Sequence, residues 1–464
     1  MDEKTADALR ESLARQQKHA CEVLTPDELQ AADAFCEGYK QFLTRCKTER
    51  ACVTFLERKA RANGFVPFEE GKTYHAGDKI FLNNRGKSLV LAVVGEKPLE
   101  EGTRLIAAHV DAPRLDLKPA PLYDDKGLAL AKTHYYGGIK KYQWTAIPLA
   151  LHGVAAKRDG TVVEIAIGDA PEDPKFCITD LLPHLAAEQM KRDLSKGISG
   201  EELNVVIGSR PLMLDGKAEG LKLNILRLLH ERYGITETDL FSAELEIVPA
   251  FEACDIGFDR SLVGAYGQDD RVCVYPCAEA IFAIDTPVHT AIAVLTDKEE
   301  IGSCGNTGLD TNYLLDFLTE FAVSAGANPR AMLRNTKCLS ADVNAGFDPT
   351  FPSVMDPLNA AFMNFGVVLT KYTGRAGKSG SSDAGAEFVA WVRKLFDENG
   401  VLWQMGELGK VDEGGGGTVA AYLAKLNMDV IDVGVSILSM HAPFELAAKT
   451  DIAMLFKACR AFFS

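Results

Sequence analysis

The stretch Ala293-Val294-Leu295-Thr296-Asp297-Lys298-Glu299-Glu300-Ile301-Gly302 joins an apolar run to a pair of adjacent acids. From Ile292 to Leu295 the run has the length and composition of a buried strand. A buried strand that delivers acids at its carboxyl end is a common architecture for an α/β active site. Two neighbouring glutamates can divide the labour. One binds a metal that acidifies a water, and the other stays free as the base that takes the proton. Asp-Lys-Glu-Glu is equally ordinary in a solvated turn, so the reading depends on the rest of the chain.

At 464 residues the chain exceeds what one hydrophobic core usually serves, which predicts two domains. Apolar content of 47% and charged content of 25% are those of a globular protein. A net charge of −15 disfavours nucleic acid or an anionic membrane as partner. The polar opening Met1-Asp2-Glu3-Lys4 does not resemble a signal peptide, and no apolar run approaches the length of a membrane span. Eleven cysteines without a CxxC pair read as reduced, mostly buried thiols, and the expected location is cytoplasmic.

Residues 5–63 read as helical, with Thr25-Pro26-Asp27-Glu28 as a capped helix start. Strand-like Leu89–Val94 follows. Then comes Arg104-Leu105-Ile106-Ala107-Ala108-His109-Val110-Asp111-Ala112-Pro113, a second apolar run ending in a histidine and an aspartate. If the strand continues through them, strand alternation puts His109 and Asp111 on one side, so that the acid can orient the imidazole. Between 119 and 261 short β-like runs alternate with charged loops, and no strand-then-acid pattern recurs. The expected organisation is a catalytic domain in two parts, 1–118 and 262–464, interrupted by a mainly β insertion at 119–261. Beyond the insertion strands and helices alternate again, as in a three-layer α/β/α sandwich. Lys337–Asp342 is a further strand ending in an acid, and the strand Val430–Val435 is expected to run on into Ser439-Met440-His441.

His109, Asp269 or Asp270, Glu300, Asp342 and His441 thus fall at or just past expected strand ends. Two histidines and three carboxylates form a mixed N/O set suited to two zinc-like ions about 3.5–4 Å apart with one bridging acid. Any one of these residues is commonplace by itself. Their gathering at the edge of a parallel sheet is what points to a site.

The motifs Ala108–Pro113, Gln268-Asp269-Asp270-Arg271, Asp297–Ser303, Ser340-Ala341-Asp342 and Ser439-Met440-His441 resemble those of the aspartyl aminopeptidase family, nearest to its bacterial branch, in the right order over nearly the whole chain. The resemblance implies a peptidase with two zinc ions per subunit, for which cobalt or manganese can substitute. His109, Asp269, Glu300, Asp342 and His441 become ligands with Asp269 bridging, Glu299 the general base and Asp111 the partner of His109. Family members carry asparagine after the bridging aspartate, where this chain has Asp270. Val368–Tyr372 resembles the segment whose lysine, here Lys371, meets acidic substrate side chains, which implies a preference for acidic first residues. The segment Thr373–Ser382 departs from the eukaryotic pattern. Leu182-Pro183-His184-Leu185-Ala186 resembles the segment that reaches a neighbouring subunit's site. The resemblance further implies that the insertion dimerises and that dimers build a tetrahedral dodecamer acting on peptides. One rival reading is a carboxypeptidase or amide deacylase on the same scaffold, with Arg271 or Arg375 binding a substrate carboxylate. Another is a non-catalytic assembly protein, which would have no reason to keep Glu299.

Overall fold

The structure is a computed structural model that describes residues 9–10 and 12–464. The expected helical start at residues 5–8, with residue 11, lies outside the described residues. The helical opening consists of Ala20–Val23, Pro26–Arg45 and Glu49–Ala62. Thr25 Oγ1 accepts the Glu28 N–H, and the Glu28 carboxylate accepts the Thr25 N–H. A reciprocal cap of this kind contributes about 1 kcal/mol to the helix start.

The larger sheet has nine strands. Its centre is four parallel neighbours, Ala291–Thr296, Arg104–His109, Lys337–Ala341 and Asp429–Gly434. Antiparallel Ser88–Val93 and Val367–Thr370 flank them. Every residue of Ala291–Thr296 is buried. Ala293 and Leu295 pack with Phe42, Ile281 and Phe462, from helices Pro26–Arg45, Gln268–Phe282 and Lys449–Phe463. Ile292 and Val294 face Leu314, Phe317 and Leu423, from helices Tyr313–Ser324 and Ala420–Lys425. Strand alternation thus feeds two helical layers, giving a three-layer α/β/α sandwich. Burying each of Ile292, Val294 and Leu295 contributes about 1.5–3 kcal/mol. Because the central strands are parallel, their carboxyl ends, Thr296, His109, Ala341 and Gly434, emerge along one edge.

A second, antiparallel sheet of seven strands draws only on residues between Arg114 and Pro249 and encloses its own apolar core. It begins earlier than the expected boundary, because strand Arg114–Asp125 runs unbroken through 118–119 and already pairs at Arg114 with Tyr136. Helix Leu221–Tyr233 packs Leu229 and Tyr233 against this core.

A five-stranded sheet contains Ser436–Leu438 and Glu445–Ala448, and His441 sits in the turn between them with φ of 64°. This corrects the expectation that the strand at Val430–Val435 continues to His441. The central strand stops at Gly434, and the chain passes to another sheet. The bend was invisible because the sequence stays apolar from Val433 through Leu438 except for Gly434 and Ser436. Gly434 is required there: a Cβ would stand 1.6 Å from the backbone oxygen of Asp342. No helix among the described residues is long and apolar enough to cross a membrane.

Candidate active site

Strand Arg104–His109 ends on His109, so Asp111 belongs to the following loop and not to the strand that alternation assumed. It still reaches the ring: His109 Nδ1 lies 3.1 Å from the Asp111 carbonyl oxygen and 3.3 Å from its carboxylate. Both partners only accept, so Nδ1 carries the proton and Nε2 faces inward as the free nitrogen. The Asp111 carboxylate also accepts the backbone N–H groups of Glu299 and Glu300, each at 3.2 Å, and the Tyr136 hydroxyl at 2.8 Å. One fully buried acid therefore fixes both the histidine and the turn carrying the two glutamates.

The other acids converge on the same point. His109 Nε2 is 3.2 Å from Asp269 Oδ1, and His441 Nε2 is 3.1 Å from Asp269 Oδ2. Each oxygen of Asp269 thus addresses a different histidine. Glu300 Oε1 lies 3.6 Å from His441 Nε2, while Asp342 Oδ1 and Glu299 Oε2 each lie 3.9 Å from His109 Nε2. Asp270 accepts the His109 backbone N–H through Oδ2 at 3.2 Å. Ligand atoms of His109, Asp269 and Glu300 all fall within 4.8 Å of one another, as do those of His109, Asp270 and Asp342.

Sequence reasoning missed Glu445, which is buried and accepts the backbone N–H groups of Asp269 (3.1 Å) and His441 (2.8 Å). It also missed Gly138, whose carbonyl oxygen accepts from His441 Nδ1 at 2.7 Å. Glu445 gives no sequence signal, being a single acid in a short β-run. The double glycine at 137–138 after a strand was the visible hint of a close backbone approach.

The electrostatics show a deficit of positive charge. Burial raises the Glu300, Asp342 and Asp270 carboxyls well above the ordinary range. Burial also pushes Asp269 upward, but hydrogen bonds from both histidines outweigh it and hold this carboxyl low. Against the lowering effect of burial, contact with Asp269 and Glu300 lifts His441 to about 10. Asp270 Oδ1 and Glu300 Oε1 are buried acceptors with no donor. Orphaned acceptors and surplus buried carboxylates around two imidazoles are the environment a divalent cation satisfies, and an N/O set of this kind suits zinc. Glu299 is raised to about 7, chiefly by burial, with His109 opposing and Asp111 and Asp269 adding to the rise.

A cleft of about 390 Å³ opens over this cluster, bordered by Asp269, Glu299, Glu300, Asp342 and His441. Its far wall is formed by Asn344, Thr370, Thr373, Thr418 and Gly415–Gly417. Lys371 does not line it, although Thr370 and Thr373 on either side do, and no lysine or arginine is among the described residues that line it. Arg271 is buried elsewhere, with Nε against Cys52 Sγ at 3.3 Å and Nη2 donating to the Lys47 carbonyl, and Arg375 is exposed. The arginine anchor needed by the carboxypeptidase or deacylase reading is thus absent from the cleft. His184 is also outside it. That residue is exposed on the turn Pro183–Leu185, beside exposed Leu181, Leu182, Leu185, Met190 and Leu194.

Comparison with known proteins agrees with this geometry. Residues 42–463 match the family model described as aminopeptidase I zinc metalloprotease (M18). The "Probable M18 family aminopeptidase 1" of Clostridium acetobutylicum is 46% identical over 448 residues, covering 95% of this chain and 96% of the relative. Its counterpart in Thermotoga maritima is 46% identical over 437 residues, covering 92% and 95%. The crystal structure of an M18-family aminopeptidase from Thermotoga maritima superposes with a TM-score of 0.92 at 44% identity, over 97% of this chain and 99% of the other. A metal-fitting cluster on an α/β/α edge, matched over nearly its whole length, places this chain in the M18 family, and it is a zinc-dependent aminopeptidase.

Proposed function

We propose that hydrolysis runs on two zinc ions per subunit, with His109 and Asp342 on one side, His441 and Glu300 on the other, and Asp269 shared. The observation that carries this reading is the span of Asp269, one oxygen 3.2 Å from His109 and the other 3.1 Å from His441. Asp270 accepts the His109 backbone N–H through Oδ2 and so braces the strand end that carries this histidine. When bound, zinc supplies Lewis acidity at the scissile carbonyl and makes a water more acidic. Glu299, held beside His109 by the turn anchored on Asp111, accepts the proton of the attacking water and returns it to the leaving amine. Cobalt or manganese will serve in place of zinc, because the N/O set does not select strongly. Purified enzyme offered a panel of free aminoacyl, N-acetylated and C-terminally probed substrates should cleave only the first kind. Preferential cleavage of the blocked substrates would return the deacylase reading.

We further propose a homo-oligomer in which the second sheet dimerises, dimers build a tetrahedral dodecamer, and His184 completes a neighbour's site. Support comes from the exposed apolar segment that carries His184, an unusual surface for an isolated subunit. An imidazole donating to the developing oxyanion contributes about 10²–10³ in turnover. His184→Ala should therefore lower turnover by about that factor with metal content unchanged. Co-expression with Glu299→Gln should recover activity in mixed dimers that hold one intact composite site. Verified mixed dimers without recovery contradict a shared site.

The substrates are peptides, and Lys371, flanked by the cleft-lining Thr370 and Thr373, is the residue that would read an acidic first side chain. The acidic preference that the resemblance implies rests on Lys371 and is tested through it. Lys371→Ala should weaken turnover of aspartyl and glutamyl substrates while sparing leucyl ones. An equal loss on every substrate would make Lys371 structural. Eleven unpaired cysteines fit a reducing, cytoplasmic location.

A further inference from the structure

The second sheet reaches into the metal cluster through its own subunit. Strand Leu128–Tyr136 ends beside the site, and the next two residues are Gly137 and Gly138. Tyr136 donates its hydroxyl to Asp111 Oδ2 at 2.8 Å and is nearly buried. Its ring is covered by the Arg114 guanidinium, 3.9 Å from the ring centroid. Arg114 is in turn tied to Glu49 at 3.2 Å, Asp116 at 2.8 Å and Glu246 at 3.3 Å. The tyrosine is therefore clamped on one side and spends its only donor on the carboxylate that orients His109. Two residues on, the Gly138 carbonyl oxygen fixes the tautomer of His441. Gly137 lets the backbone pass: its φ is 74°, and a Cβ there would meet Glu300 Oε2 at 3.1 Å.

We propose that Tyr136 is a positioning residue of the metal centre, acting through Asp111, and that the segment Tyr136–Gly138 aligns both histidines from the inserted sheet. This rests on the two-histidine metal reading above. The physical reason is that Asp111 accepts four donors while fully buried. Removing the strongest geometric partner, at 2.8 Å, frees the carboxylate to rotate and with it the His109 ring. Losses of this kind behind a metal-bound histidine typically weaken metal binding by 10–100-fold. A hydroxyl-free ring retains the stacking under Arg114, so the fold is expected to survive.

The test is Tyr136→Phe, with zinc affinity measured on metal-stripped protein by competition against a chromogenic chelator. The expected result is zinc binding weakened by about 10–100-fold, with the cobalt-substituted absorption spectrum altered and the metal-free protein still unfolding in one cooperative transition. The same substitution in an Asp111→Asn background should add less than about twofold, because the path through Asp111 is already cut. Unchanged zinc affinity overturns the role, as does a Tyr136→Phe effect that is fully additive with Asp111→Asn. A wild-type protein that fails to bind zinc overturns the metal reading itself, whereas tight wild-type binding with an equally tight variant overturns only Tyr136.

Discussion

Glu299→Gln lowers turnover by about 10²–10⁴ while the protein keeps its full metal content. The size of the loss is that of a general base removed from an otherwise intact site. Unlike Asp269 and Glu300, Glu299 makes no ion pair with His441. Its nearest imidazole atom is 3.9 Å away, and its backbone N–H is held by Asp111 independently of its side chain. Burial raises its carboxyl to about 7, so it titrates close to neutrality and is suited to taking a proton and handing it back. Glutamine matches its shape and hydrogen bonds but cannot accept the proton. Kinetics paired with elemental analysis separates the two roles of the adjacent glutamates. A drop in metal content on substituting Glu299 makes it a ligand and assigns the base to Glu300.

Stripping the metal with a chelator abolishes hydrolysis, and zinc, cobalt or manganese restores it. The effect is larger than any single side-chain change. Without a cation the cluster retains surplus buried carboxylates, orphaned acceptors at Asp270 and Glu300, and histidines whose pKa is dragged upward. The metal-free protein should also melt at a lower temperature, because a bound ion stabilises the native state in proportion to its affinity. Peptide hydrolysis that persists in verified metal-free protein contradicts the assignment.

The strand Ala291–Thr296 was legible because a parallel central strand is buried on both faces and reads as an unbroken apolar run. For the same reason His109, Asp342 and the Glu299–Glu300 pair could be found, as each follows such a run within a few residues. His441 was found by its motif alone. Its position depends on a chain that leaves the central sheet at Gly434 and turns in another sheet, a route that an apolar stretch does not encode. Asp111 was paired with the right partner for the wrong reason, by strand alternation where the structure has a loop. The groups behind the ligands, Glu445, Gly138 and Tyr136, were not legible, because their roles come from contacts across sheets far apart in sequence. Lys371 was singled out by a local match alone, one residue beyond the strand Val367–Thr370, whose last residue lines the cleft.

The central claim is that two ions share Asp269, and zinc titration of metal-free enzyme with activity followed at each addition tests it most directly. The predicted result is saturation at two zinc per subunit with full activity only near the second equivalent, and weakened binding of both ions in Asp269→Ala. Full activity at a single equivalent, or an Asp269→Ala protein that still binds two ions tightly, would contradict it.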